Sequence, residues 1–178
     1  MRTAFIKSQT APAVSGLSIG AGTVAHMGCE AVALFNTLTY FGGAPDFEAL
    51  LSELEEEALL WRNGKWGMSP SKMKKYLKTR GFSASYVSSG KLLKLTPPEL
   101  SLRHEAIIVT CFNHDFFHNG VHSFGLYPET SENAAGYFWS SPNGYVSGGK
   151  TVSEVLSGRK LFRAMLVSDP THYPVHSL

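Results

Sequence analysis

Cysteine is scarce in this chain: Cys29 and Cys111 are the only two in 178 residues. A small secreted scaffold held by disulfides carries more, so that class is excluded and a reducing cytoplasm is the expected compartment. Long apolar runs are missing as well. Nothing approaches the ~20 residues a membrane helix needs. The opening MRTAFIKSQTAPAVSG lacks the continuous apolar stretch of a secretory signal. Charge of one sign is also in short supply. With 16 basic and 14 acidic residues there is no basic stripe to neutralise phosphates, so nucleic acid is not an expected partner. The Lys72–Lys78 cluster reads as a solvated helix face. Internal repeats and low-complexity tracts are absent too.

What the chain does have is enough apolar material for one packed domain, 43% of its residues. Residues 8–25 are rich in Gly, Ser, Ala and Thr without clear periodicity, and residues 1–25 read as an extended lead-in. A helix is predicted from about Cys29 to Phe41, with Ala33, Leu34, Leu38 and Phe41 at the spacing of a buried face and Gly42-Gly43 as its stop. PDFEALLSELEEEALLW is a second helix, capped by Asp46. Ser69-Pro70 starts a third, which ends at Arg80-Gly81.

Beyond Gly81 the pattern changes. SASYV, EAIIVTCF, VHSFGLY, GYFW and KLFRAMLVS are short, β-branched or aromatic, and separated by turn residues. One late helix is expected at Thr151–Gly158. Helices followed by strands predict an α+β fold with an antiparallel sheet, occupying residues 26–170, and a C-terminal tail at 171–178.

Within this frame HMGCEAVALF holds the sharpest chemical signal. A cysteine in the first turn of a helix meets unsatisfied backbone N–H groups and the positive end of the helix dipole, and both favour a thiolate. Gly28 beside it leaves room for a substrate carbonyl. Glu30 reads as a first-turn charge favoured by the same dipole. A nucleophilic thiolate needs a proton-transfer partner from elsewhere in the fold. His122, at the start of a strand after a glycine turn, is the candidate. A third group should hold the imidazole, and WSSPNGY offers Asn143, with Ser141 as the poorer choice. The opposing reading is that Cys29 is an ordinary buried cysteine, as Cys111 inside IIVTCF is expected to be.

Taken in order, GCEAVALFNTLTYFG, LLWRNGKWGMSPSKMKKYLKTRGF, EAIIVTCF, GVHSFGLYPE and FWSSPNGYVSGGKTVSEVL resemble the papain-like cysteine peptidase fold. More narrowly they resemble the branch that includes the bacteriocin-leader (double-glycine) peptidase domains of bacterial ABC exporters and their stand-alone relatives. Residues 26–167 match this order. Each motif is short, and their sequence along the chain carries the likeness. The resemblance implies Cys29 as nucleophile and His122 as general base and acid. The family's turn has Asp before the proline, where this chain has Ser141, so Asn143 takes the orienting role, as an asparagine does in papain. The family also places a glutamine shortly before the cysteine, where Thr23 stands here. Gln9, Thr23 and His26 are therefore the candidates for the oxyanion donor, and Gln9 serves only if residues 10–25 loop out.

Trp66 and Gly67, in the loop between two helices, are candidate groove residues along with Gly28. Trp61, at the end of an apolar stripe, is assigned to the core, and Trp139 is open to either role. His114, His118 and His122 stand four apart, a spacing that stacks zinc ligands on one helical face. Asn113, Asn119 and Gly120 make this stretch a loop, where helical spacing carries no meaning. The expected function is a papain-like cysteine peptidase or amide hydrolase acting on a peptide or protein, without metal or cofactor. Its alternatives are an inactive papain-like peptide-binding module and a His-ligated metal hydrolase. Oligomeric state is not legible in the sequence.

Overall fold

The computed structural model describes residues 5–43, 46–60, 67–112, 121–131, 134–141, 144–149, 151–156 and 159–172. The described part of the segment expected as an extended lead-in, residues 5–25, is folded into the domain. Residues 5–27 form a short helix α1 (Pro12–Ser15), a two-stranded hairpin β1 (Ser18–Ile19) and β2 (Gly22–Thr23), and a helix α2 (Val24–Met27). Phe5, Val14, Ile19 and Val24 are buried in the main core. Isolated apolar residues at irregular spacing escape a periodicity reading, yet each finds a place beside the next helix.

That helix, α3 (Cys29–Tyr40), is the centre of the molecule, and its residues from Cys29 through Leu38 are buried. Asn36, fully buried, accepts from the Ile6 amide and donates to the Ile6 carbonyl, both at 2.9 Å. Its side chain thereby acts as a strand partner that ties the N-terminal segment to α3. The helix closes at Gly42, whose φ of +91° suits glycine.

Helix α4 (Phe47–Glu56) begins as expected, with the Asp46 side chain accepting from the Ala49 amide. It stops before the apolar pattern does. Ala58 takes a φ of +51°, and the Leu59 amide bonds back to the Leu54 carbonyl. Helix α5 (Pro70–Thr79) carries the Ser69 cap and the Gly81 stop read from the sequence.

The strands are β3 (Ser83–Tyr86), β4 (Glu105–Phe112), β5 (Val121–Ser131), β6 (Ala134–Ser141), β7 (Gly144–Gly149) and β8 (Lys160–Ser168). They form one antiparallel sheet in the order β3-β8-β4-β5-β6-β7. Between strands lie the short helices α6 (Ser89–Leu92), α7 (Pro97–Leu102) and α8 (Val152–Val155). β7, α6 and α7 are additions to the sequence reading. GYVSGG is too rich in Gly and Ser to look like a strand, and α6 and α7 are too short for periodicity.

Alternation along each strand divides the core in two. Ala106, Ile108 and Tyr127 face α3, together with Met165 and Val167. Ile107, Val109, Cys111, Phe124, Leu126 and Tyr137 lie in a second cluster with Leu92, Leu95, Leu100, Val152 and Val155 from the short helices and loops. Pro170–His172 form a 3-10 turn, and the rest of the expected tail lies outside the described residues. Among the described residues no helix is long and apolar enough to cross a membrane.

Candidate active site

Cys29 is the first residue of α3, with Gly28 as its cap. Gly28 has a packing reason for being glycine. A Cβ there would lie 2.6 Å from Val24 Cγ1 and 2.7 Å from the Val24 carbonyl, so its missing side chain makes room for α2 to pack. The Cys29 side chain is 8% exposed. Burial pushes its thiol well above the usual range, and the neighbouring Glu30 carboxylate pushes it further. The Ser123 backbone amide on β5 opposes both, but these effects outweigh it. The expected helix-dipole depression of the thiol is therefore overturned: loss of water and a like charge dominate at this helix terminus.

Glu30 is not the exposed first-turn charge it reads as. It is 3% exposed. The Cys29 thiol donates to its Oε2 at 3.2 Å, and the Met68 amide bonds to its carboxylate. Gly67, at φ +62°, presses on the same group: a Cβ there would lie 2.6 Å from Oε2. Gly67, a candidate groove residue, forms one wall of a carboxylate cage. Burial raises the Glu30 carboxyl to about 7, against the lowering effect of these hydrogen bonds.

His122 and Ser123 are neighbours on β5 and therefore point to opposite faces of the sheet. Ser123 pairs with Thr110, and their hydroxyls lie 2.9 Å apart. His122 pairs with Cys111, a member of the second cluster. Its ring stacks on Phe124, centroids 5.8 Å apart, and the Arg159 guanidinium sits 5.0 Å from the same Phe124 ring. Burial first, then the Arg159 charge, lowers the imidazole to about 4. Its Nε2 is shut from solvent without a hydrogen-bond partner among the described residues. Cys29 thus meets the backbone of the residue after the histidine, while the imidazole faces the second core. The expected thiol–imidazole pairing is not assembled in this conformation.

The third candidate, Asn143, lies outside the described residues, as do Trp66, Trp61, His114 and His118. Ser141 ends β6. Between Gln9 and Cys29 the chain forms α1, the hairpin and α2, across residues 12–27. Gln9 folds back on it, Nε2 donating to the Ala25 carbonyl at 2.8 Å, while its Oε1 is buried without a partner among the described residues. Thr23 and His26 bond to each other, Oγ1 to Nδ1 at 3.1 Å. Among the described residues no group of three or more His, Cys, Asp and Glu side chains is placed to hold a metal.

Two contributors escaped the sequence reading. Glu30 had a visible signal, a carboxylate set in the apolar run CEAVALF. Tyr127 had less of one. Its hydroxyl donates to the Ala33 carbonyl and pairs with Thr37 Oγ1, both at 3.1 Å, holding α3 to β5.

The central helix laid on an antiparallel sheet gives a mixed helix and sheet fold that matches a papain-like peptidase domain. The chain is similar to the crystal structure of the peptidase domain of Streptococcus ComA, a bifunctional ABC transporter involved in a quorum-sensing pathway. The TM-score is 0.52 at 14% identity, covering 84% of this chain and 96% of that one. The exporter-peptidase likeness read from the motifs is thereby matched at the level of fold. No protein-family model matches the chain. No curated protein matches it by sequence.

Proposed function

We propose that the chain is a papain-like cysteine hydrolase acting on a peptide-type bond, with Cys29 as its nucleophile. One observation carries this reading: Cys29 opens the buried central helix of a peptidase fold and meets a backbone amide of β5. In the reaction the sulfur attacks the carbonyl carbon, the amine leaves with a proton, and water releases the acyl group from sulfur. His122, Asn143 and Gln9 remain the proposed base, orienting group and oxyanion donor. For His122 this role requires the imidazole to leave the second core and reach the Cys29 side of β5. Two free thiols fit a reducing compartment such as the cytoplasm, and a peptide or protein is the proposed substrate.

A second reading, a papain-like module that holds a peptide without cutting it, is favoured by the hydrogen bond from the thiol to Glu30 and by the half-buried imidazole, whose Nε2 is shut from solvent. A peptide mixture followed by mass spectrometry separates the two. Wild-type protein should generate new termini, and Cys29→Ala should generate none while keeping its circular dichroism spectrum. Turnover that survives Cys29→Ala overturns the assignment of the nucleophile. Peptide retained on the wild type without new termini selects the second reading.

A further inference from the structure

We infer that Glu30 is a positioning residue that holds the Cys29 thiol in its protonated form, so that the sulfur is kept from becoming a thiolate until the carboxylate is displaced or neutralised. The inference stands on a built site. Glu30 Oε2 accepts from the sulfur at 3.2 Å. The carboxylate is sealed from water, with a glycine held at positive φ against one side and the Met68 amide bonded to it. No Cβ fits at residue 67 while the carboxylate stays in place. The sequence thus places a glycine, which takes this positive φ without strain, against the carboxylate. A charge in so dry a place acts on its neighbour with little screening.

The proton balance follows from the geometry. Ionised Glu30 is a pure acceptor, and the only described proton it meets from a side chain is the one on Cys29 sulfur. Losing that proton to solvent would leave two negative charges in contact, which burial makes costly. Raising the pH therefore ionises the carboxyl first and the thiol only afterwards, far into the alkaline range. Among the described residues, the groups around the pair offer no compensating cation. Gly67 and the Met68 amide meet the carboxylate, and β5 contributes the Ser123 amide to the sulfur. On α2, His26 is exposed and bonded to Thr23. Arg62 and Lys65 belong to the segment before Gly67, outside the described residues.

The functional meaning of this lock rests on Cys29 being the nucleophile, but its test does not use turnover. Iodoacetamide alkylation of the full chain is followed at each cysteine by mass spectrometry across pH 5 to 11. The reagent forms a carbon–sulfur bond with thiolate and releases iodide, so its rate reports the thiolate fraction. In the wild type, Cys29 should react only at the alkaline end, with no plateau near neutrality. Glu30→Gln keeps shape and removes charge. It should move the Cys29 midpoint down by at least about one pH unit, raising the rate at pH 8 about tenfold. Cys111, on the other face, should be unchanged.

A wild-type plateau between pH 6 and 8, or a Glu30→Gln rate equal to or below wild type, overturns the lock. The wild-type profile stands as a test even where the variant fails to fold. If the profile is as expected and no peptide is ever cut, the hydrolase reading fails and the lock survives.

Discussion

The two faces of the sheet each hold one cysteine beside one titratable side chain, and they treat the pair in opposite ways. On the α3 face Cys29 touches a carboxylate that keeps its thiol protonated, and burial lifts that carboxyl to about 7. On the far face Cys111 lies across the ladder from an imidazole that burial and Arg159 lower to about 4. The Cys111 thiol is itself raised to about 11 by burial. Both environments remove charge; they differ in which group must give it up. A buried acid gains a proton and a buried base loses one, so each face is driven toward neutrality at intermediate pH.

The largest effect expected is from breaking the contact that builds the α3 face. Gly125 lies between Ser123 and Tyr127 on that face of β5, and a Cβ there would fall on the Tyr127 ring and hydroxyl. Gly125→Ala should therefore displace Tyr127 from α3 and cost about 3 kcal/mol or more, the upper range for overpacking a core. Urea unfolding measures it. A loss below about 1 kcal/mol would mean that the ring yields easily and that α3 is not held to β5 through Tyr127.

The comparison between faces becomes quantitative in the pH dependence of stability. Glu30 has a folded value of about 7 above its ordinary 4.5, so the folded state binds the proton more tightly. Its benefit is complete below 4.5 and is lost as pH rises through 7. His122 has a folded value of about 4 below its ordinary 6.5. Its neutral form is fully accommodated above 6.5, and stability is lost as pH falls toward 4. Each slope is worth on the order of 3 kcal/mol across its window. Because the windows overlap with opposite sign, the wild type should be nearly flat between pH 4.5 and 6.5 on account of these two groups. Glu30→Gln should expose a fall toward acid, and His122→Leu a fall toward neutrality. Denaturant titrations at four pH values check this. Slopes of the same sign in the two variants would show that the groups do not occupy the environments described.

Why the sequence reading joined Cys29 to His122 is clear from the same alternation. The helix start at Cys29, the Ser69 and Asp46 caps, the strands EAIIVTCF and KLFRAMLVS and the exporter-peptidase order were all legible, because caps and apolar runs are local signals. Which face of β5 holds the histidine is a matter of register. In VHSFGLY, His122 shares its parity with Phe124 and Leu126, and Ser123 with Gly125 and Tyr127. The first set reads as the more apolar, and it is the set in the second core with Cys111. Tyr127 is also buried, so apolarity alone does not say which face meets α3. The Glu30 cage was beyond reach for another reason. It depends on Gly67 arriving from a loop 37 positions later in the chain, a contact that no local pattern encodes.

The smallest effects sharpen the comparison further, because each face ties a helix or loop carbonyl to a strand tyrosine. Tyr127 donates to the Ala33 carbonyl at 3.1 Å, and Tyr137 donates to the Leu95 carbonyl at 3.0 Å. The two bonds differ in redundancy. The Ala33 carbonyl also accepts from Thr37 Oγ1 at 2.7 Å, so a second hydroxyl covers it when the first is removed. Tyr127→Phe should then cost no more than about 1 kcal/mol, the net worth of an ordinary hydrogen bond. Tyr137 is fully buried, and its replacement strips the Leu95 carbonyl of a bond with no hydroxyl beside it among the described contacts. Tyr137→Phe should cost about 2 kcal/mol, because a buried acceptor loses its partner without regaining water. Paired thermal or urea melts of the two variants read the difference. Equal losses would mean that water or a rearranged backbone serves Leu95 as well as Thr37 serves Ala33, and that the second face is no less forgiving than the first.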